Sequence, residues 1–267
     1  MNQLLVRSIS GAIFVLLVVL AILTSSWATA GVFLLLVAGG LAEYYKLLNL
    51  KTFAFPLLSG LVLFTLIGLW ILGALNPIYL ITLGILPVLL LSIDLFRKKK
   101  SPASGFTFAS WLYILPAFLM ALYMRSDPEQ DGAIMLISFF ILLWTNDSGA
   151  YVWGKMLGKH KLYASVSPGK TWEGCIGGGL TTIVAAVLID IWFFNSIGMK
   201  DWVIAAILTS LFSTIGDLYE SLLKRTAGVK DSGRIMPGHG GILDRFDGML
   251  FALPVVFVYF YVFSSFI

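Results

Sequence analysis

Asp217, Glu220, Ser221 and Lys224 fall at i, i+3, i+4 and i+7, which puts two acids, a hydroxyl and an ammonium on one face of a helix. Further on, Asp244 and Asp247 share a face by the same i, i+3 rule. Between Ser221 and Gly248 the chain reads SLLKRTAGVKDSGRIMPGHGGILDRFDG. Its Lys224, Arg225, Lys230 and Arg234 can neutralise phosphate oxygens. Gly238, Gly240 and Gly241 let backbone N–H groups come close to an anion. They lead into the start of an apolar helix, where the dipole favours negative charge. Asp244 and Asp247 would repel each other unless a divalent cation or an arginine lay between them. Basic groups, glycines and paired carboxylates in one loop describe a metal–polyphosphate site.

The elements that must position these groups are apolar. Of the 267 residues, 59% are hydrophobic and 12% are charged, against about 25% charged in a soluble domain. The apolar residues come in blocks of roughly 18–22, the length a helix needs to cross a ~30 Å hydrocarbon core. The expected fold is all-α, a polytopic transmembrane bundle of about nine spans, at about 8–24, 27–47, 53–74, 77–96, 105–124, 132–153, 174–196, 201–223 and 246–267. Arg7, the first apolar run and Ala28-Thr29-Ala30 imitate a secretory signal and its cleavage site. The run is long for such a signal and further spans follow, so an uncleaved first span is the preferred reading.

Loops on one side of this arrangement hold 16 of the 18 basic residues, and the other side holds only Arg125 and Lys200. The bias predicts N-terminus inside and C-terminus outside. Arg97 to Lys100 serves topology and attraction to anionic headgroups, and nothing suggests a nucleic-acid partner. Residues 1–130 are read as N-terminal scaffold helices facing membrane lipids. Residues 131–267 are read as the C-terminal helices, with the site at their cytoplasmic face.

An acid near the membrane centre costs at least ~2.5–3.5 kcal/mol, so each one needs a reason. Glu43, beside Tyr44, Tyr45 and Lys46, and Asp94, near Arg97, are read as solvated or paired anchors; Asp190 is read as structural. Asp147, Asp217, Asp244 and Asp247 instead gather at the cytoplasmic ends of spans six, eight and nine. Structural ion pairs with Lys224, Arg225 and Arg245 are the plainer alternative for any one of them. The single Cys175 permits no internal disulfide, and with His160 and His239 it cannot build a zinc site. A metal here would be a hard cation held by carboxylates and phosphates, which points to Mg2+.

The segment Ser221–Asp247 resembles the signature of the phosphatidate cytidylyltransferases, the CDP-diacylglycerol synthases. Ser221, Lys224-Arg225, Lys230-Asp231, His239-Gly240-Gly241, Asp244-Arg245 and Asp247 match its polar positions, and Met236 replaces another aliphatic residue. A second stretch, Asn146-Asp147-Ser148-Gly149-Ala150-Tyr151 through Ser167-Pro168-Gly169-Lys170-Thr171-Trp172-Glu173-Gly174, is similar to the same family. The resemblance rests on residues 145–250; the N-terminal half matches only in hydropathy.

The resemblance implies attack of a phosphatidate phosphate on the α-phosphorus of CTP, with release of pyrophosphate. A phosphomonoester has a second pKa of about 6, so it is largely a dianion at neutral pH and needs no general base. The obstacle is repulsion between two polyanions, which Mg2+ on Asp147, Asp217, Asp244 and Asp247 would screen; a second cation is left open. Lys224, Arg225, Lys230 and Arg234 would hold the lipid phosphate and the departing pyrophosphate. Asp231 would orient Lys230 or a metal-bound water, and His239 belongs to the matching catalytic set without an acid–base duty. Asn146, Lys155, Lys170, Ser221, Gly240, Gly241 and Arg245 complete the expected substrate-binding set, with Lys170 a point charge on a turn. Gly169-Lys170-Thr171 imitates a P-loop ending, but Ala164 stands where the earlier glycine is required.

Two other classes fit less well. A transporter predicts acids spread across the membrane depth. A CDP-alcohol phosphatidyltransferase requires a longer aspartate motif of which only Asp247-Gly248 is present. Partners implied by the resemblance are CTP, phosphatidic acid and membrane lipids in a bacterial-type inner membrane. Gly177-Gly178-Gly179 is read as close helix packing, and glycine-rich faces leave room for a homodimer.

Overall fold

The computed structural model describes residues 3–50, 53–75, 103–128, 131–193, 197–233, 235 and 240–263. The expected fourth span at 77–96 lies outside them, as do Lys51, Asp94, Arg97 to Lys100, Glu129, Arg234, Met236, Gly238 and His239. The described chain is helical apart from one short hairpin. In order it forms α1 (Gln3–Thr24), α2 (Ser26–Leu47), α3 (Ala54–Ile71), α4 (Ala103–Ser126) and α5 (Gly132–Leu157). The strands β1 (Lys161–Tyr163) and β2 (Ser167–Thr171) follow, then α6 (Trp172–Phe193), α7 (Met199–Thr226) and α8 (Leu243–Val258), which continues as a π-helical turn at Tyr259–Phe263.

Among the described residues, seven helices are long and apolar enough to cross a membrane. Within α1, the apolar helix Ile9–Thr24 is shorter than these. The outward faces of α1 and α6 carry Leu16, Leu20, Leu180, Val184 and Ile191, each about half exposed or more. A soluble protein puts polar groups there, so such faces suit lipid. Ala28-Thr29-Ala30 lies inside α2, where Ser25 caps the helix by accepting from Ala28 N at 3.1 Å.

Two compact units can be described separately. The first comprises Met1–Asp127 with Ser232–Leu243, and the second comprises Pro128–Asp231 with Asp244–Ile267. In the first, Phe33 of α2 meets Phe118 of α4 edge to face, with ring centroids 5.3 Å apart. Tyr45 and Ser110 share a buried hydrogen bond of 2.6 Å between the same helices. The Arg125 guanidinium is bound by the carbonyl of Ile22, tying the end of α4 to the α1–α2 corner.

In the second unit, α5 and α6 approach closely because glycines line their contact. A Cβ on Gly178 would lie 2.9 Å from the Asn146 carbonyl oxygen and 3.0 Å from Ala150 Cβ, and one on Gly177 would strike Trp153. The packing reading of Gly177 and Gly178 is therefore correct. The hairpin between α5 and α6 pairs Lys161 with Thr171 and Tyr163 with Ser167. It corrects the expectation of a turn at Lys170, which lies on β2. Glu173 anchors the hairpin's entry, accepting from Lys159 N at 3.1 Å and meeting His160 Nδ1 at 2.6 Å.

Candidate active site

The second unit gathers the predicted acids around α7. This helix presents Asp217, Glu220, Ser221 and Lys224 on one face, as their spacing requires. It ends where Gly228 adopts φ 72° and Val229 N donates back to the Lys224 carbonyl at 2.9 Å, a left-handed stop that suits glycine. Alongside, α8 can come close because two glycines leave room. A Cβ on Gly216 would strike the Asp247 carbonyl, and one on Gly248 would lie 3.4 Å from Asp217 Oδ1. Small residues at this contact bring Asp217 and Asp247 together.

Two lysines meet these acids. The Lys170 ammonium, carried in on β2, pairs with the Asp217 carboxylate. The Lys224 ammonium donates to Asp244 Oδ1 at 2.7 Å and also pairs with Glu220, which is fully buried. Asp247 Oδ1 accepts from Gly248 N at 2.9 Å and lies within electrostatic reach of Asp217, Glu220 and Asp147. Asp147 in turn feels Asp217, Lys170 and Arg245. Asn146 is buried; its Nδ2 donates to Ser213 Oγ at 3.0 Å, and its Oδ1 has no hydrogen-bond partner among the described residues. Asn146, Asp147, Lys170, Asp217, Glu220, Lys224, Asp244 and Asp247 thus form one network of acids, amide and ammoniums.

Other expected residues stand apart from this network. Lys155 is exposed near the end of α5, and Lys230 and Asp231 are exposed in the loop. Arg225 is exposed and donates to the Val229 carbonyl at 3.3 Å, a local bond at the end of α7. Ser221 is half-buried on α7, whereas Arg245, although exposed on the first turn of α8, stays within electrostatic reach of Asp147 and so belongs with the network. Gly240 has φ 85°, a left-handed conformation that disfavours a side chain. Arg234 and His239 lie outside the described residues.

Of the two readings of Glu43 as a solvated or a paired anchor, burial excludes the solvated one, and its partners lie far along the chain. In the first unit it is 1% exposed and accepts from Ser232 Oγ at 3.0 Å, Ile242 N at 3.1 Å and Leu243 N at 3.0 Å. Gly241 stands against the same carboxylate, since a Cβ there would strike it. At Gly241 and at the start of α8, the anion that lies there is the protein's own Glu43 carboxylate. An acid in an apolar span was the signal that could have found it; the neighbouring Tyr44, Tyr45 and Lys46 disguised it as an interface residue.

Among the described residues, no three acid, histidine or cysteine side chains already converge as metal ligands. The arrangement still has defined chemistry. Oxygen donors lie beside ammonium groups that can bind either carboxylate or phosphate, which suits a polyphosphate brought in with a hard cation.

Known proteins are similar to this chain along most of its length. The sequence profile of the cytidylyltransferase family matches residues 5–263. Phosphatidate cytidylyltransferase of Staphylococcus haemolyticus is 36% identical over 258 residues, which cover 92% of this chain and 95% of the relative. The enzyme of that name from Staphylococcus aureus is 36% identical over 256 residues with the same coverage. That from Staphylococcus saprophyticus is 38% identical over 191 residues, 71% of this chain and 70% of the relative. A match over nearly the full length of both partners includes the acid–ammonium network and the helices that carry it: the chain belongs to the cytidylyltransferase family.

Proposed function

We propose that this protein is a phosphatidate cytidylyltransferase, transferring CMP from CTP to phosphatidic acid and giving CDP-diacylglycerol and pyrophosphate. The observation that carries the reading is the pairing of Lys170 with Asp217 and of Lys224 with Asp244 on one network, in a chain whose relatives bear that name. These lysines can leave a carboxylate for a phosphate oxygen, so the same groups serve the substrate-free and the substrate-bound protein. The phosphatidate phosphate is the nucleophile, and as a near-dianion it needs no base. What the protein must do is hold two polyanions in line and neutralise them.

The donor chemistry fits Mg2+. Asp147, Asp217, Asp244 and Asp247 are oxygen ligands, and the buried Oδ1 of Asn146 is a neutral oxygen lacking a described partner. When bound, the cation would supply charge neutralisation at the phosphates. Lys170 and Lys224 orient the phosphoryl groups, while Glu220 holds Lys224 from its buried side. In the loop, Lys230, Arg234 and His239 complete the grip on the pyrophosphate that leaves. The reading places this site at the cytoplasmic face of an inner membrane, with the N-terminus inside and about nine spans, as the basic-residue bias supports.

The test is incubation of detergent-purified protein with cytosine-labelled CTP and Mg2+, with and without phosphatidate. Label should enter the chloroform-soluble fraction only when phosphatidate is present. Label that stays aqueous under both conditions would refute the reading.

A further inference from the structure

One buried acid in the first unit organises a whole segment of loop. Glu43 Oε1 accepts from Ile242 N at 3.1 Å, while Oε2 accepts from Leu243 N at 3.0 Å and from Ser232 Oγ at 3.0 Å. Leu243 is the first residue of α8, so these backbone donors belong to the group that a helix start leaves without helical partners. Two glycines close around the carboxylate: a Cβ on Gly233 or on Gly241 would collide with it, and on Gly241 with Ser232 Oγ as well. A buried carboxylate is tolerated only when such donors replace its water. Ser232 and Leu243 are the two ends of the segment that packs with the N-terminal helices, so one side chain holds both ends.

We propose that Glu43 is a positioning residue of the transferase: it ties Ser232–Gly233 to Gly241–Leu243 and so fixes the start of α8, the helix that carries Asp244 and Asp247. Its catalytic consequence rests on the proposed function; the clamp itself does not. The clamp also accounts for Gly241 by the space the Glu43 carboxylate needs, with no direct phosphate contact required of it. Without the carboxylate, the backbone N–H groups of Ile242 and Leu243 and the Ser232 hydroxyl would lose this shared acceptor, and the loop that carries Lys230 would lose its anchorage.

The full-length protein in detergent is compared with Glu43→Gln, Glu43→Ala, Gly241→Ala and the Glu43→Ala/Gly241→Ala double variant. The two readouts are steady-state kinetics with CTP and the rate of tryptic cleavage after the exposed Lys230. Glu43→Gln matches the native side chain in size, so it reads the clamp even if the alanine variant fails to fold. Each Glu43 variant should raise KM for CTP at least about tenfold, a change that loss of active molecules alone would not produce. Cleavage after Lys230 should accelerate in parallel. Gly241→Ala should match that loss in the native background yet add less than about twofold to Glu43→Ala, because the obstructing carboxylate is gone and the Ser232 hydroxyl, no longer held by it, can rotate away from the added methyl. Unchanged KM and unchanged cleavage in Glu43→Gln would overturn the proposal, as would penalties that multiply in the double variant. If the native protein makes no lipid product from CTP, the assigned reaction fails, and the cleavage rates still decide the clamp.

Discussion

Lys224 Nζ donates to Asp244 Oδ1 at 2.7 Å, joining the last turns of α7 to the first turn of α8. The pair closes the signature loop at the two points where it leaves and re-enters the helices. Asp244 is therefore both a candidate ligand for the nucleotide's cation and the counter-charge for an ammonium.

Asp244→Asn keeps the shape and removes the charge. Lys224 retains Glu220 as a partner, so the fold should persist. Turnover should fall by about a hundredfold or more, equivalent to about 2.7 kcal/mol of transition-state stabilisation. Steady-state kinetics beside a thermal melt in detergent check both halves of the expectation.

The Lys170–Asp217 pair predicts non-additivity. Lys170→Met and Asp217→Asn should each reduce kcat/KM by about tenfold to a hundredfold, because each strands the other's charge. The double variant should be less impaired than the product of the two, since residues in contact do not act independently. A double-mutant cycle on kcat/KM measures this coupling.

Helix contact between α5 and α6 predicts a stability effect without direct chemistry. A Cβ on Gly178 would meet the Asn146 carbonyl oxygen at 2.9 Å and Ala150 N at 3.1 Å, backbone atoms that cannot swing aside. Gly178→Ala should destabilise by about 1–3 kcal/mol through overpacking. The check is a lowered melting temperature in detergent. Displacement of Asn146 should also cost some activity.

Removal of divalent cations should abolish turnover, and Mg2+ should restore it, because the donor set is built of oxygens. Asp147→Asn and Asp247→Asn should each shift the Mg2+ concentration for half-maximal rate upward. Titration of Mg2+ at saturating CTP reads that shift.

Much of this arrangement is legible in the residues. Apolar blocks mark the helices because a membrane-crossing helix must satisfy its backbone internally and show hydrocarbon to lipid. The i, i+3 spacing of Asp217 with Glu220, and of Asp244 with Asp247, puts those acids on shared faces because helix geometry leaves little choice. Long-range partners are not legible in the same way. Nothing local to Glu43 indicates that Leu243, 200 residues further on, returns to donate to it. Lys170 reads as a turn residue beside Pro168 and Gly169, yet pairing of β2 with β1 extends it and carries its ammonium to Asp217. Gly241 shows the limit most clearly, since its sequence context fits any anion and only the fold supplies Glu43.

The proposed reaction transfers the α-phosphoryl group of CTP together with the cytidine. CTP labelled at the α-phosphorus and, separately, at the γ-phosphorus, each given with phosphatidate and Mg2+, distinguishes the possibilities in a single lipid extraction. The α-label should appear in the lipid, with the γ-label recovered as pyrophosphate. Gamma-label in the lipid, or α-label left wholly in nucleotides, would contradict it.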